Sequence, residues 1–374
     1  MRIVTLPALL LTLLIVAPGC QPDEPAGGAM GEGTLRLGAV LGETDAQGFA
    51  RAEAVVPFAF PGDHGPHPRF RSEWWYLTAN VQNEFGAEFG VQFTVFRQAL
   101  APGPGPANPW LSNQVFLAHA AVTGVLEQGH WHEERVARGH PGVAGATAEP
   151  FRVWVDGWEL AGRNGGFDEQ RLSVKADAFA VDLQLDALKR PVLQGDRGLS
   201  AKGPEQASYY YSVPRLSARG TLRIGEVEHQ VSGRAWIDRE WSTSALSSGQ
   251  VGWDWFALHL DDSWEIMVYQ LRRADGSRDR YDHAVLIDPY GAKHPLGADD
   301  FELEPEIFWQ DDDGVAWPLQ WRLKALDREL RIRAAVPDQR METSVSYWEG
   351  LVGVFDMAGR RTGRGYMELT GYEG

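Results

Sequence analysis

From Glu73 onward the chain alternates apolar and polar residues at period two, the spacing of strands with one covered face. Glu73-Trp-Trp-Tyr-Leu-Thr-Ala-Asn-Val-Gln82 and Glu88-Phe-Gly-Val-Gln-Phe-Thr-Val-Phe-Arg97 flank the turn Asn83-Glu-Phe-Gly86 and predict a hairpin. Similar runs predict strands over 114–125, 171–176, 179–185, 208–213, 218–224 and 228–236. The second half repeats the style at 253–260, 264–272, 283–287, 316–326, 330–335 and 347–355. No segment holds a helical period for three turns, apart from a weak signal at 299–304. Many short strands between Gly, Pro and Asp turns predict an all-β protein of sandwiches or barrels. A seam near 224–228 divides it into one barrel at 51–226 and another at 227–374. Pro102-Gly-Pro-Gly-Pro106 reads as a stiff loop, because strand signals resume at once.

The N-terminus breaks this pattern. Arg2 precedes an almost wholly apolar stretch at 6–16, the length of a signal-peptide core and too short to span a bilayer. Ala17-Pro18-Gly19-Cys20 then fits a lipobox, although Ala17 stands where Leu is usual; an ordinary secretory signal cut nearby is the alternative. The reading is a signal peptide at 1–19, lipidation of Cys20, and a Gly-, Ala-, Glu- and Pro-rich tether at 20–50. Gln21 rather than Asp after the cysteine favours the periplasmic face of the outer membrane. Cys20 is the only cysteine, so no intrachain disulfide can form. A formal charge of -16 argues against nucleic acid and against docking on an anionic lipid surface.

Fifteen tryptophans in 374 residues mark an aromatic interior. Indoles and phenols pointing into a barrel can fill it or enclose an apolar ligand. Here they are expected to enclose a hollow in at least one barrel, with acids at its rim. On the first strand Glu73 and Trp75 share one face, Trp74 and Tyr76 the other. Arg97 can pair with Glu73 across the hairpin; Glu73 could instead act as an acid or base at the cavity mouth. Asp238 and Glu240 lie two apart and share a face with Trp236, followed by Trp241. Two close carboxylates push one pKa up, which suits protonation of a double bond or acid-assisted hydrolysis, and an indole face can stabilise a cation. The competing reading pairs these acids with Arg234 and Arg239. Trp253 and Trp255 share a further face, with Gln270 on the following strand. His119 sits in an apolar strand, and His130 and His132 have no third partner at metal-ligand spacing, so no metal is expected. Gly-x-Ser-x-Gly, P-loop and dinucleotide signatures are absent.

Ser72-Glu-Trp-Trp-Tyr76, Phe89-Gly-Val-Gln-Phe-Thr-Val-Phe-Arg97, Ala235-Trp-Ile-Asp-Arg-Glu-Trp-Ser242 and Gly252-Trp-Asp-Trp-Phe256 together resemble the carotenoid 1,2-hydratase (hydroxyneurosporene synthase) and AttH-like family, in its predicted secreted hydrolase branch. Leu117-Ala-His-Ala-Ala121 and Tyr210-Tyr-Ser212 support the likeness. The resemblance implies two tandem lipocalin-like barrels. Its hydratase members add water to a terminal polyene double bond without a cofactor, and its secreted branch is linked to lipoprotein-type ABC exporters. The hydratases carry a His beside the second-barrel Trp, where Arg239 stands here, and Tyr269-Gln-Leu271 is the nearest match to their Tyr-x-Asp. Two functions are therefore expected as alternatives. One is an exported lipoprotein that carries an apolar, lipid or isoprenoid-like ligand, with an ABC exporter as partner. The other is a cofactor-free hydratase or hydrolase using Asp238, Glu240 and Glu73. The expected ligand contacts are Trp74, Trp75, Tyr76, Gln92, Arg97, His119, Tyr210, Trp236, Trp241, Trp253, Trp255 and Gln270.

Overall fold

A computed structural model describes residues 47–372, except 104, 106, 107, 245 and 248. The signal peptide, Cys20 and nearly all of the tether lie outside the described residues. The first part of the chain contributes β1 (Ser72–Asn83), β2 (Glu88–Ala99), β3 (Gln114–Gly124), β4 (Gly129–Arg138), β5 (Ala144–Ala148), β6 (Phe151–Val155) and β7 (Trp158–Gly162). It continues with β8 (Glu169–Lys175), β9 (Phe179–Ala187), β10 (Val192–Leu193), β11 (Leu199–Ala201), β12 (Ala207–Ile224) and β13 (Val227–Ser242). The second part contributes β14 (Gln250–Leu260), β15 (Glu265–Arg273), β16 (His283–Ile287), β17 (Lys293–Gly297) and β18 (Phe301–Gln310). It ends with β19 (Ala316–Ala325), β20 (Arg328–Ala334), β21 (Arg340–Met341), β22 (Tyr347–Asp356) and β23 (Arg361–Leu369).

These strands make two antiparallel, barrel-like sheets, in line with the all-β tandem-barrel expectation. The first follows the order β4-β3-β2-β1-β13-β12-β9-β8-β7-β6-β5, with β10 and β11 added to β12. The second follows β17-β16-β15-β14-β23-β22-β20-β19-β18, with β21 on β22. Two expectations are corrected. The seam does not fall near 224–228: β12 and β13 form one hairpin about Gly225, whose φ of 56° suits a glycine, and β13 then pairs with β1. The boundary lies after Ser242, so 227–242 belongs to the first barrel. The helical signal at 299–304 is strand β18 from Phe301 on, where Phe301 and Leu303 alternate inward.

Both interiors are filled with side chains. Trp75, Leu77, Phe93, Trp158, Leu183 and Tyr211 pack inside the first barrel, and Phe256, Trp317, Trp321, Ile332 and Trp348 inside the second. The expected hollow inside a barrel is thus replaced by packed core. The opposite face of β1 is buried too. Trp74, Tyr76, Thr78 and Asn80 point away from the first interior, and the second sheet covers them: Asn80 Nδ2 donates to Gly365 O at 3.0 Å and Tyr76 meets the Trp255 ring at 5.1 Å. Gly90 permits this approach, because a Cβ there would collide with the Tyr366 hydroxyl.

Candidate functional site

Where the outer faces of the two sheets meet, a hollow of about 70 Å3 remains. Period two decides who lines it. Trp74 and Tyr76 of β1 stand opposite Glu240 and Asp238 of β13 and opposite Phe96 and Thr94 of β2. Tyr210 of β12 stands opposite Glu240. From the second sheet come Trp253 and Trp255, their cross-strand partners Leu271 and Tyr269, and Glu368 and Tyr347. Lys202 and Leu246 complete the wall. Trp74, Phe96, Lys202 and Trp253 remain partly exposed and mark the mouth, whereas Tyr76, Tyr210, Asp238 and Trp255 are buried.

Asp238 is gripped by three donors. Tyr210 Oη reaches Oδ2 at 2.7 Å, and Trp236 Nε1 reaches Oδ1 at 2.7 Å beside the Ser212 hydroxyl. Burial pushes its carboxyl up to about 7, against the pull of those hydrogen bonds and with a smaller contribution from Glu240. The expected cause, a free pair of like charges, is therefore secondary. Glu240 forms an ion pair with Lys202, whose ammonium lies 5.7 Å from the Tyr210 ring centre and 5.9 Å from that of Trp74. Neither Arg234 nor Arg239 pairs with these acids: Arg239 is on the other face of β13, and Arg234 donates to Gly233 O.

A second pair of acids comes from the other sheet. Glu349 of β22 stands directly opposite Glu368 of β23. Glu349 is fully buried and Glu368, on the pocket wall, is half-buried. Burial raises both carboxyls; Glu368 adds to the Glu349 shift, whereas Asp238 and Glu240 add to that of Glu368 and Lys202 opposes it. Glu368 accepts from Trp253 Nε1 at 2.6 Å, whereas neither oxygen of Glu349 has a hydrogen-bond partner. Tyr76 and Tyr347 stand beside Glu349 outside hydrogen-bonding geometry. Burial keeps both phenols neutral by raising them well above the usual range.

Several other expected site residues lie away from the hollow. Glu73, Trp75, Arg97 and Trp241 are on the inner face of the first barrel. Glu73 is fully buried, ion-paired with Arg97 and 3.0 Å from Arg239 Nη2, and accepts the His67 backbone N–H. Burial alone would raise its carboxyl, but Arg97, His67 and Arg239 hold it well below the usual range. It is thus a charge-compensated anion inside the first barrel, away from the hollow. Trp241 stacks on His67 at 3.7 Å there, so it cannot shield a cation near Asp238. Gln270 stands opposite Asp254 on the face of β15 that turns away from the hollow. Gln92 faces the second sheet but is occupied by Thr94 Oγ1 at 2.6 Å. Trp236 supports Asp238 from behind, and His119 touches Tyr347. Among the described residues no three His, Cys, Asp or Glu side chains are grouped as a metal site.

The structure adds Phe96, Lys202, Leu246, Leu271, Tyr347 and Glu368 to the lining, with Tyr269 moved from a motif comparison into the wall. The acids carried a usable signal. Glu349 interrupts the apolar run Tyr347-Trp-Glu-Gly-Leu-Val352 and Glu368 the run Tyr366-Met-Glu-Leu369, places where a carboxylate is expensive.

Fold and site together define a class: two lipocalin-like barrels joined face to face around an aromatic cleft that holds carboxylic acids. Within that class the chain belongs to the AttH-like family, whose profile matches residues 51–372. The crystal structure of an AttH protein from Nitrosomonas europaea superposes with a TM-score of 0.78 at 32% identity, covering 87% of this chain and 100% of that one. Kievitone hydratase from Nectria haematococca gives a TM-score of 0.65 at 16% identity, over 84% of this chain and 93% of that one, a likeness of fold. In sequence, kievitone hydratase from Fusarium solani subsp. phaseoli is 26% identical over 106 residues, 27% of this chain. The aligned stretch spans only 29% of that protein's length.

Proposed function

We propose that the inter-sheet hollow is a cofactor-free acid–base site that adds water to, or removes it from, a carbon–carbon double bond at the apolar end of a substrate. One observation carries this reading: Asp238 and Glu368 line an aromatic cleft, Glu349 is buried beside Glu368 behind its wall, and Lys202, the one cation among the described lining residues, is already paired with Glu240. Acids without an ion-pair partner in a low-dielectric site hold protons into the neutral range, as Glu349 and Glu368 do; Asp238, raised to about 7, is available as the anion at and above neutral pH. Glu368, next to the protonated Glu349, gives its proton to one alkene carbon; the π pair forms the C–H bond and leaves a cation on the other carbon. The faces of Trp74, Trp253 and Trp255 shield that cation. Water adds to it and loses a proton to Asp238, whose three donors fit it to receive one as an anion. A hollow of about 70 Å3 takes the end of a molecule, since whole drug-sized ligands fill roughly 300–1,000 Å3. The kinship with a hydratase supports the same reaction class.

The test is incubation of the purified chain with acyclic polyenes and prenylated phenols in D2O. Solvent deuterium should enter the protonated carbon. Glu368→Gln should lower that rate by roughly 10²–10⁴-fold while ligand retention by native mass spectrometry persists. A co-purifying apolar molecule that survives unchanged, with no deuterium entering any of these alkenes, overturns catalysis. That outcome favours a second reading, which the aromatic lining also suits: a lipid-anchored carrier working with an ABC exporter outside the cytoplasm. Palmitate labelling that survives Cys20→Ser would remove the anchor from that reading.

A further inference from the structure

Acids buried behind a pocket need a route for replacing their protons. His119, at the centre of β3, is fully buried. Its Nδ1 lies 2.7 Å from the Tyr347 hydroxyl and its Nε2 lies 3.0 Å from Glu134 Oε2. Glu134, the cross-strand neighbour of His119 on β4, keeps 20% of its side chain exposed. It also accepts from the Ser344 backbone N–H at 3.1 Å and hydroxyl at 2.6 Å. Tyr347 belongs to the second sheet, and its hydroxyl interacts with Glu349, which stands opposite Glu368. From surface to pocket wall the order is Glu134, His119, Tyr347, Glu349, Glu368.

We propose that this row is a proton wire between solvent and the acids of the pocket, with His119 and Tyr347 as its conducting members. It deepens the acid–base reading above and rests on it. Burial, together with the nearby His132, lowers the His119 pKa against the pull of Glu134, so the ring is neutral and has one donor and one acceptor nitrogen. Both distances suit either tautomer. Reloading starts from the Nδ1–H form. Once Glu368 has given up its proton, Glu349 passes its own across to Glu368 and becomes the carboxylate. A proton taken from solvent by Glu134 then moves to Nε2, the Nδ1 proton moves to the Tyr347 oxygen, and the Tyr347 hydroxyl proton moves to the Glu349 carboxylate. Glu134 ends ionised, Glu349 ends protonated, and His119 and Tyr347 each give one proton and take one. The inner step is open at rest, because the Glu349 oxygens have no hydrogen-bond partner. The carboxyl turns onto the Tyr347 hydroxyl for the proton to pass. His119 and Tyr347 are thus positioning residues that act through Glu349, and the wire crosses from one sheet to the other.

The experiment is a pH jump on the full chain, followed by time-resolved infrared of the carboxylic C=O band. Glu349→Gln and Glu368→Gln assign the band. In wild type the relaxation rate should bend with the deuterium fraction of the solvent, because several protons move together. His119→Gln and Tyr347→Phe should each relax at least about tenfold more slowly. A linear deuterium dependence in wild type overturns the wire, and so does an unchanged rate in either folded variant. If a variant fails to fold, the wild-type deuterium curve decides. The two proposals fail separately. Deuterium entering an alkene with relaxation indifferent to His119 removes the wire alone; slow relaxation in both variants without any turnover removes the reaction alone.

Discussion

The β1–β13 pair carries Glu73 of β1 on its inner face and Asp238 and Glu240 of β13 on its outer face, and the two faces treat Glu73 and Asp238 in opposite ways. On the inner face Glu73 sits between the guanidinium groups of Arg97 and Arg239, with the His67 backbone N–H as a further donor. On the outer face Asp238 meets only neutral donors, and Glu368 across the gap meets an indole N–H and another carboxyl. Glu73 and Asp238 are both buried. Burial therefore does not tell a structural acid from a reactive one; the charge of its partners does. The first barrel compensates its buried anion with two guanidinium groups. The cleft compensates Glu240 with Lys202 but leaves Asp238, Glu349 and Glu368 without an ion-pair partner, and there a proton takes the place of the missing cation.

The largest expected effect sharpens this contrast. Glu368→Gln removes an acid that the cleft stabilises only when protonated, so it should lower turnover by roughly 10²–10⁴-fold while leaving the denaturation midpoint unchanged or higher. Glu73→Gln should do the reverse. It leaves Arg97 and Arg239 facing each other in a buried site, at a cost of about 3–5 kcal/mol in urea unfolding, with little change in turnover per folded molecule. If Glu73→Gln abolished turnover in a fully folded protein, or Glu368→Gln unfolded it, the division between the faces would fail. A smaller effect probes how the cleft is held. Gly90→Ala places a methyl group against the Tyr366 hydroxyl and 3.1 Å from Leu351 Cβ. It should cost about 1–3 kcal/mol, read as a lower melting temperature, and should loosen ligand retention, because the sheets must separate to admit it.

Much of this architecture was legible because strands advertise their faces. The alternation around Glu73 and Trp74 correctly sorted inner from outer residues, and Asp238, Glu240 and Trp236 onto one side. What period two could not say is which face looks into the barrel and which meets a second sheet, so the hollow was expected inside a barrel. Trp75, Arg97 and Trp241 were placed at it for that reason. The seam was misread because the β13–β1 pairing joins residues far apart in sequence, and nothing local to 227–242 encodes its partner; the Gly225 turn was the available sign of a hairpin. Gln270 lies on the strand that follows Trp253 and Trp255 but on its far face, and its neighbour Tyr269 lines the wall instead. Glu349 and Glu368 stand outside the motifs that mark Glu73, Asp238 and Glu240, although a lone carboxylate in an apolar strand is itself a signal.

The smallest effect is the most direct measure of the two environments. Asp238 has an ordinary pKa of 3.8 and is raised to about 7 in the folded chain. Between those values the native state holds a proton that the unfolded chain has released, so its contribution to stability is complete below about 4 and is lost as pH rises through about 7. Glu73, depressed from 4.5, does the opposite: its contribution is present above about 4.5 and is lost as pH falls below that value. The Asp238 contribution should thus fall from pH 5 towards pH 8 by about 1.4 kcal/mol per pH unit while its proton is retained, whereas His64, His130, His259 and His283, lowered by burial, pull the other way up to the ordinary imidazole value of 6.5. Asp254 and Asp282, also raised by burial, add to that slope from outside the hollow. The informative quantity is therefore the difference between wild type and Asp238→Asn in chemical denaturation across this range. The variant should flatten the decline by up to one proton's worth. Equal slopes would mean that Asp238 is already ionised at pH 5, with its three hydrogen bonds outweighing burial, and the outer face would then differ from the inner one only through Glu349 and Glu368.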